Sequence, residues 1–456
     1  MYTNAHIHLF STDHTPSIQL YHLMRGTLHG AARRLLPTVL GHPMTVADLK
    51  NLDRSMDRFE WPWPILFQVA SGASSTIGGI GMIDPRRLIN MFTTISRMTR
   101  EDARGILGVD MSEKEGDFLK NLTDKTNINR QAGKLFPFRD TLCDIISELF
   151  KAHQNGVKQK GVIGQEELWN VFLQSQGADQ YNRVIVLSVN FDEAFLDDDL
   201  PGLSSTPGLD FAAQMDDLEK LAKKVNDQGA IKMLPFLCID PRGHSDSSLE
   251  TFVLEHVGKT KPWKGLKVYP PMGVLPTDDR FRKIFDFCQD NGIPVTSHCS
   301  IGGAGVRGSD RNFADLAHPL KWMDVLVRLE QRNERTGTFR LCLAHFDSLE
   351  ASDELSWGND IMNLMTRFDG SKGVEVFSDI SFNVIDEKSR EKYNDNVKKA
   401  KDLGLAPRVL FGSDWWNYLY ECETEKEFID QLDFDQGFWE TKDFEPAADS
   451  FLQDVV

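Results

Sequence analysis

The chain reads as an α/β protein, a closed (β/α)8 TIM-type barrel with a large, mainly helical insertion after strand one. Three observations predict this. Eight short apolar runs, rich in β-branched and aromatic residues and bounded by polar, Gly or Pro punctuation, recur along the sequence. Amphipathic patterns with apolar residues at i, i+3, i+4 and i+7 fall between them. Strand then helix, repeated at spacings of roughly 30 to 50 residues, is the mark of parallel βα units, and eight such units suit a barrel.

The first strand carries Asn4-Ala5-His6-Ile7-His8-Leu9-Phe10. The remaining strands are expected at Arg183–Asn190, Ile231–Ile239, Leu266–Tyr269, Pro294–Cys299, Arg340–His345, Val374–Ile380 and Arg408–Ser413. Hydrophobic stretches such as VLSV and KMLPFL fit a parallel sheet buried on both faces. Helical periodicity is clearest over Phe211–Asn226, Asp278–Gln289, Pro319–Glu330 and Lys388–Leu403.

One connection breaks the rhythm. Helices are expected within it at Thr45–Phe59, Arg139–His153 and Gln165–Gln174, with Trp61-Pro62-Trp63-Pro64 as a rigid break. The expected division is therefore a barrel from 1–40 and 181–456, with 41–180 as a helical insertion or cap. A connection leaving strand one starts on the carboxyl-terminal face of the barrel, where a cap would shape a substrate site. An oligomerisation or purely structural layer is the alternative. The acidic, aromatic tail from Phe434 is expected to be a packing segment.

Composition narrows the function classes. At 456 residues, 26% charged and 41% hydrophobic, the chain is ordinary for a globular protein with a large core. A net charge of −17 argues against nucleic-acid binding, which needs an excess of Lys and Arg. Six cysteines without a CxxC pair do not make a disulfide framework, so reduced thiols and a cytoplasmic setting are expected. A first strand beginning at residue 2 leaves no expected signal peptide. The long uncharged stretch from Ile65 to Ile83 is too rich in Gly and Ser for a membrane span.

The chemistry gathers at strand ends. His6 and His8, at i and i+2 in an extended run, project to the same side and can chelate one divalent ion. Lys267, His298, His345 and Asp414 each close a later apolar run. Taken singly, each is as readily a hydrogen-bonded core residue or a helix cap. Their recurrence at successive strand ends points to one site, because barrel enzymes draw catalytic groups from there. Arg242, just past strand three, could anchor an anionic group through its planar fork or form a structural salt bridge. His14, His22, His29 and His42 could line the pocket but read more simply as surface residues. Gly302, Gly303 and Gly305 make a loop without the lysine and hydroxyl of a phosphate-binding motif.

The motifs HIHLF (6–10), IDPRG (239–243), GLKVYPP (265–271), VTSHCS (295–300), LAHFD (343–347) and FGSDW (411–415) occur in order on successive strands. In these the chain resembles the amidohydrolase superfamily, and most nearly its branch of aminocarboxymuconate semialdehyde decarboxylase with related lactonases and amide hydrolases. The resemblance spans the chain ends and residues 183–420, and leaves about 41–180 without a counterpart. It implies that His6, His8, His298 and Asp414 ligate a divalent metal, zinc being the expected ion. Three imidazoles and a carboxylate suit such a borderline metal. It further implies a hydroxide nucleophile made at the metal, with Asp414 as general base and His345 polarising a carbonyl or holding an oxyanion. Lys267 is ambiguous. In the dihydroorotase-like and phosphotriesterase-like branches a lysine here is carbamylated between two metals, whereas in the decarboxylase-like branch it would meet a substrate carboxylate or carbonyl. The motifs favour that second branch and one ion over two. Asn4 departs from the pattern, standing where many relatives have Asp.

The resulting expectation is a metal-dependent hydrolase of a C–N or C–O bond (amide, lactam or lactone) in a small substrate that can carry a carboxylate. Catalytic roles fall to Asp414, His345 and Lys267, and substrate contacts to Arg242 and Lys267. A metal-dependent nonoxidative decarboxylase is the alternative, followed by a noncatalytic metal-binding barrel. The expected partner is a small molecule, with neither nucleic acid nor membrane, and homo-oligomers remain open.

Overall fold

Strands buried on both faces set the architecture. β1 (Tyr2–Ile7), β4 (Gly265–Val268), β5 (Val295–Ser297), β6 (Phe339–Leu343) and β8 (Val409–Leu410) are buried at every residue. In β2 (Tyr181–Leu187), β3 (Lys232–Cys238) and β7 (Val374–Asp379) only the first half reaches solvent. Such strands need cover on both sides, which a barrel interior and an outer ring of helices supply. The structure, a computed structural model, describes residues 2–9, 164–175, 177–190, 211–242, 244–300, 314–346, 357–381, 387–415, 425–431 and 444–455. All fall in one unit, Met1–Gln19 with Ile163–Val456.

The strands form one sheet in the order β1 to β8, each neighbouring pair parallel. Backbone hydrogen bonds then close it. Ala5 N donates to Phe411 O at 2.7 Å, Asp414 N to His6 O at 2.8 Å and His8 N to Trp415 O at 2.6 Å. This (β/α)8 barrel is the expected fold. β8 is shorter than the run Arg408–Ser413 because the backbone beyond Leu410 leaves the β7 ladder and bonds to β1 instead.

Helices α1 (Gln165–Gln174), α2 (Phe211–Gln228), α3 (Asp246–His256), α4 (Arg282–Asn291), α5 (Met323–Glu330), α6 (Gly358–Arg367), α7 (Glu387–Asp402), α8 (Glu425–Gln431) and α9 (Glu445–Leu452) are interleaved with the strands. α2 shows the logic. It buries Phe211, Gln214, Met215, Leu218, Leu221, Ala222 and Val225, one stripe at helical period. α4 stops at Gly292, whose φ of 62° lets its N–H reach Cys288 O, a left-handed cap that glycine adopts without strain. The expected helices at 278–289 and 319–330 both begin with a 3-10 turn, capped by Asp278 and His318, before the α-helix proper.

Of the expected insertion, residues 164–175 and 177–180 are described. There α1 packs against the barrel, with Phe172 stacked on Tyr181 at 5.9 Å and edge-on to Trp415 at 5.4 Å. The helices expected at Thr45–Phe59 and Arg139–His153, the Trp61 break and the cap itself lie outside the described residues, as do His14, His22, His29, His42 and the 302–305 loop.

The expected packing tail from Phe434 is described from Phe444 onward, and that part packs on the barrel. α9 buries Ala447, Ala448, Phe451 and Leu452. The Phe451 ring lies 6.2 Å from Phe236 on β3 and 5.2 Å from Phe377 on β7, two strands on opposite sides of the barrel. Glu445 accepts from Thr3 N at 2.7 Å and pairs with Arg183, while Asp454 pairs with Arg340 at 2.6 Å. These partners sit early in β1, β2 and β6, so α9 plugs the amino-terminal end. The other end is left for chemistry.

Candidate metal centre and active site

Six strands and the turns that follow them bring the polar residues together. His6 and His8 come from β1 and the residue after it, Lys267 from the middle of β4, and His298 from the residue after β5. His345 follows β6 by two residues, Asp379 ends β7, and Asp414 follows β8. All are buried. The closing bond from Asp414 N to His6 O fixes the eighth strand end beside the first.

His6 and His8 face each other, Nε2 to Nε2 at 3.2 Å. Asp414 Oδ1 lies 3.7 Å from the first and 3.5 Å from the second. The opposite ring nitrogens are already engaged. His8 Nδ1 lies 2.9 Å from the Leu187 carbonyl, which can only accept. His6 Nδ1 lies 3.0 Å from Asp379 Oδ2. Each Nδ1 therefore carries the proton, and each Nε2 presents a lone pair. Two imidazole nitrogens and a carboxylate oxygen converge, an arrangement suited to a cation. Burial, then the Lys267 charge for His6 and the His6 ring for His8, hold both imidazoles well below the ordinary histidine range. They stay neutral, as a metal ligand must.

Among the described residues, ligand-type atoms within 4.8 Å of one another form two sets: His6, His8 and Asp414, and His6, His345 and Asp379. The first contains three of the four expected ligands. His298 sits apart from it. Its Nδ1 lies 3.1 Å from His345 Nε2, and its ring stacks on Tyr269 at 4.7 Å. His345 Nδ1 lies 3.3 Å from the Ser381 carbonyl and 2.9 Å from Ser381 Oγ. That places the His345 proton on Nδ1 and makes its Nε2 the acceptor of the His298 Nδ1 proton. Burial first, then the His298 and His6 rings, keep His345 neutral too.

Lys267 is fully buried, and its Nζ has no hydrogen-bond partner among the described residues. Nζ lies over the Tyr269 ring, 5.7 Å from its centroid. Burial pulls the ammonium down from its ordinary range, opposed by the carboxylates of Asp379 and Asp414. Arg242 stands differently. Its Nε and Nη2 grip Asp240 at 3.0 and 2.6 Å, so the fork is engaged two residues away.

Asp379 and Ser381 belong to this constellation, and strand-end reasoning passed over both. Asp379 closes the apolar run VEVFSD, the same signal that singles out Asp414. Asn4, unusual by resemblance, is fully engaged: its Oδ1 accepts from His6 N and Ser413 N, both at 3.2 Å, and its Nδ2 donates to Ser413 Oγ at 2.8 Å. Ser413 Oγ in turn donates to the buried Glu425 at 2.8 Å.

No family model matches the chain, and no curated protein matches it. Among solved structures, a probable 2-pyrone-4,6-dicarboxylic acid hydrolase from Acinetobacter baumannii, with citric acid bound, is similar at 10% identity and a TM-score of 0.41, covering 66% of this chain and 95% of that one. An amidohydrolase from Burkholderia multivorans with bound zinc is similar at 14% identity and 0.40, covering 62% and 86%. A 5-carboxyvanillate decarboxylase from Sphingomonas paucimobilis is similar at 11% and 0.38, covering 62% and 82%. Likenesses this distant bear no weight on function, and the site stands on its own geometry.

Proposed function

We propose that the protein is a metal-dependent hydrolase of a C–N or C–O bond in a small, carboxylate-bearing substrate, as the resemblance of its motifs to the amidohydrolase superfamily implies. The observation that carries this is the convergence of the His6 and His8 Nε2 lone pairs on Asp414 Oδ1, inside a buried mouth at the carboxyl ends of the strands. Two imidazoles and a carboxylate are the donor chemistry of zinc and its borderline neighbours. His6, His8 and Asp414 would hold one such ion, with His298 as the fourth ligand that the resemblance implies. A bound divalent ion brings a water pKa near neutrality and a Lewis acid for a carbonyl oxygen.

The chain's own groups do the rest. Asp414 takes a proton from the attacking water and returns it to the leaving nitrogen or oxygen. Lys267, buried and without a hydrogen-bond partner at Nζ among the described residues, would hold a developing oxyanion or a substrate carboxylate. His345 has its Nδ1 proton committed to Ser381, so its part is to accept and pass a proton through Nε2. Arg242 keeps Nε and Nη2 on Asp240, so an anion would meet the guanidinium through its other N–H donors. Burial strengthens each of these interactions relative to water.

A second reading, nonoxidative decarboxylation, draws on the His298–His345 pair. A decarboxylase must return a proton to the carbon that loses CO2, and this pair is a proton carrier within the mouth. Incubating the metal-loaded protein with carboxylated lactones, amides and aromatic acids in H2 18O separates the two. Label in the organic product acid supports hydrolysis, and CO2 release with an unlabelled organic product supports the second reading. Neither reaction from any member, with the ion bound, would remove both.

A further inference from the structure

Asp379 is fully buried and accepts from five donors. Its Oδ2 takes His6 Nδ1 at 3.0 Å and the Cys342 thiol at 3.5 Å. Its Oδ1 takes His345 N and Ser381 N, each at 3.1 Å, together with a short bond from Ser381 Oγ. Ser381 Oγ, its own proton spent on Asp379, lies 3.1 Å from His6 Nδ1 and 2.9 Å from His345 Nδ1, where it can only accept. One carboxylate on β7 thus reaches a histidine of β1 directly and the histidine beyond β6 through a hydroxyl.

We infer that Asp379 is a positioning residue that sets the tautomer of His6 and, through Ser381, that of His345, so that both Nε2 lone pairs face the barrel mouth. The inference rests on the metal-dependent reading above for its consequence, though not for its geometry. Two features make the arrangement directional. His345 has a left-handed backbone, φ 69°, and its N–H is tied to Asp379 Oδ1, so the carboxylate also holds the turn that aims this ring. The Cys342 thiol stays protonated, because burial and then the Asp379 charge push it well above its ordinary value, so it donates to Oδ2 and does not compete for the His6 proton.

Asp379→Asn is the informative variant. The amide oxygen would replace Oδ1, where two backbone N–H groups and a hydroxyl all need an acceptor. The amide nitrogen would then replace Oδ2 and point a hydrogen at His6 Nδ1. His6 must answer by moving its proton to Nε2, which removes the lone pair from the mouth. Outer hydrogen bonds of this kind change metal affinity by about 10- to 100-fold.

The test is the 15N spectrum of the histidine ring nitrogens in metal-free protein, with the His6 signals identified by their loss in His6→Ala, together with a Zn2+ affinity measured against a competing chelator. The wild type should show His6 protonated at Nδ1. Asp379→Asn should show it protonated at Nε2 and bind Zn2+ about 10- to 100-fold more weakly. Ser381→Ala, which keeps the Asp379–His6 bond, should retain both the His6 tautomer and the affinity. Wild-type His6 protonated at Nε2 overturns the inference even if the Asn variant does not fold, as does a folded Asn variant with the wild-type tautomer. The expected tautomers in a wild type that binds no Zn2+ would uphold the role of Asp379 and remove the metal reading alone.

Discussion

His345 and Asp414 share a left-handed backbone conformation, φ 69° and 58°, the two non-glycine residues that do so among the described residues. A side chain in that region costs on the order of 1–3 kcal/mol, and it persists where the surroundings over-determine it. Here they do. Asp379 Oδ1 holds His345 N at 3.1 Å, and Asp414 N is held by His6 O at 2.8 Å. Each bend turns a side chain off its strand end into the mouth.

That conformation makes Asp414→Asn a clean test of chemistry, because asparagine enters the left-handed region as aspartate does, with a short polar side chain that bonds locally. The fold should survive, while the carboxylate that takes the proton is gone. Turnover should fall by at least about 100-fold, the scale of a lost general base. The readout is kcat at verified metal content, and wild-type turnover in a folded, loaded variant would assign the proton transfer elsewhere.

Purified protein should hold about one divalent ion per chain, measured by elemental analysis. Replacing His6 and His8 together by Ala should abolish retention, since two of the three convergent donors go. Removing the ion from the wild type should lower the unfolding temperature, because an ion present at 100 times its Kd adds about 2.7 kcal/mol to the folded state. Stoichiometric ion in the double variant would sink the assignment.

Lys267→Met should keep the ion and lose activity mainly through KM for an anionic substrate. The variant should also be more stable than the wild type by about 1 kcal/mol or more, since it removes a buried ammonium with no hydrogen-bond partner among the described residues. Denaturant midpoints and initial rates measure the two effects. Two ions in the wild type, falling to one or none in this variant and rescued by short carboxylates, would show a carbamylated, binuclear centre instead.

Gly412 lies under His6. A Cβ there would sit 2.7 Å from His6 Cβ and 3.3 Å from Ser381 Cβ. Gly412→Ala should cost about 1–3 kcal/mol by overpacking and weaken ion binding by displacing His6, without touching any ligand atom. An alanine variant with wild-type midpoint and ion affinity would show that the wall yields.

Phe451→Ala probes the other end. It empties the plug between Phe236 and Phe377 and should cost about 3–5 kcal/mol. Below its lowered unfolding temperature, kcat should hold near the wild-type value. A large kcat loss in the folded variant would mean that the plug shapes the site from below.

Local pattern made most of the fold legible. Strand periodicity, burial on both faces and amphipathic stripes such as that of α2 depend on neighbours a few residues apart, and all are visible in the chain. The polar residues ending the apolar runs were legible for the same reason, so His6, His8, Lys267, His298, His345 and Asp414 could be named before any geometry. Asp379 ends such a run as well, but an acidic residue after a strand has many ordinary uses, and nothing nearby in sequence marks this one.

What the sequence by itself determined, then, is the alternation of strands and helices and the kind of chemistry at the strand ends. Only the tertiary structure decided which nitrogen of each histidine faces the mouth, because the partners that hold the other nitrogen are far away along the chain. Leu187 meets His8 across 179 residues, and Asp379 meets His6 across 373. It likewise set His298 against His345 rather than within the first ligand group, and left Lys267 Nζ without a hydrogen-bond partner among the described residues. The register in which β8 closes onto β1 sets Asp414 beside His6 and His8, a long-range match of backbone hydrogen bonds that no local period encodes.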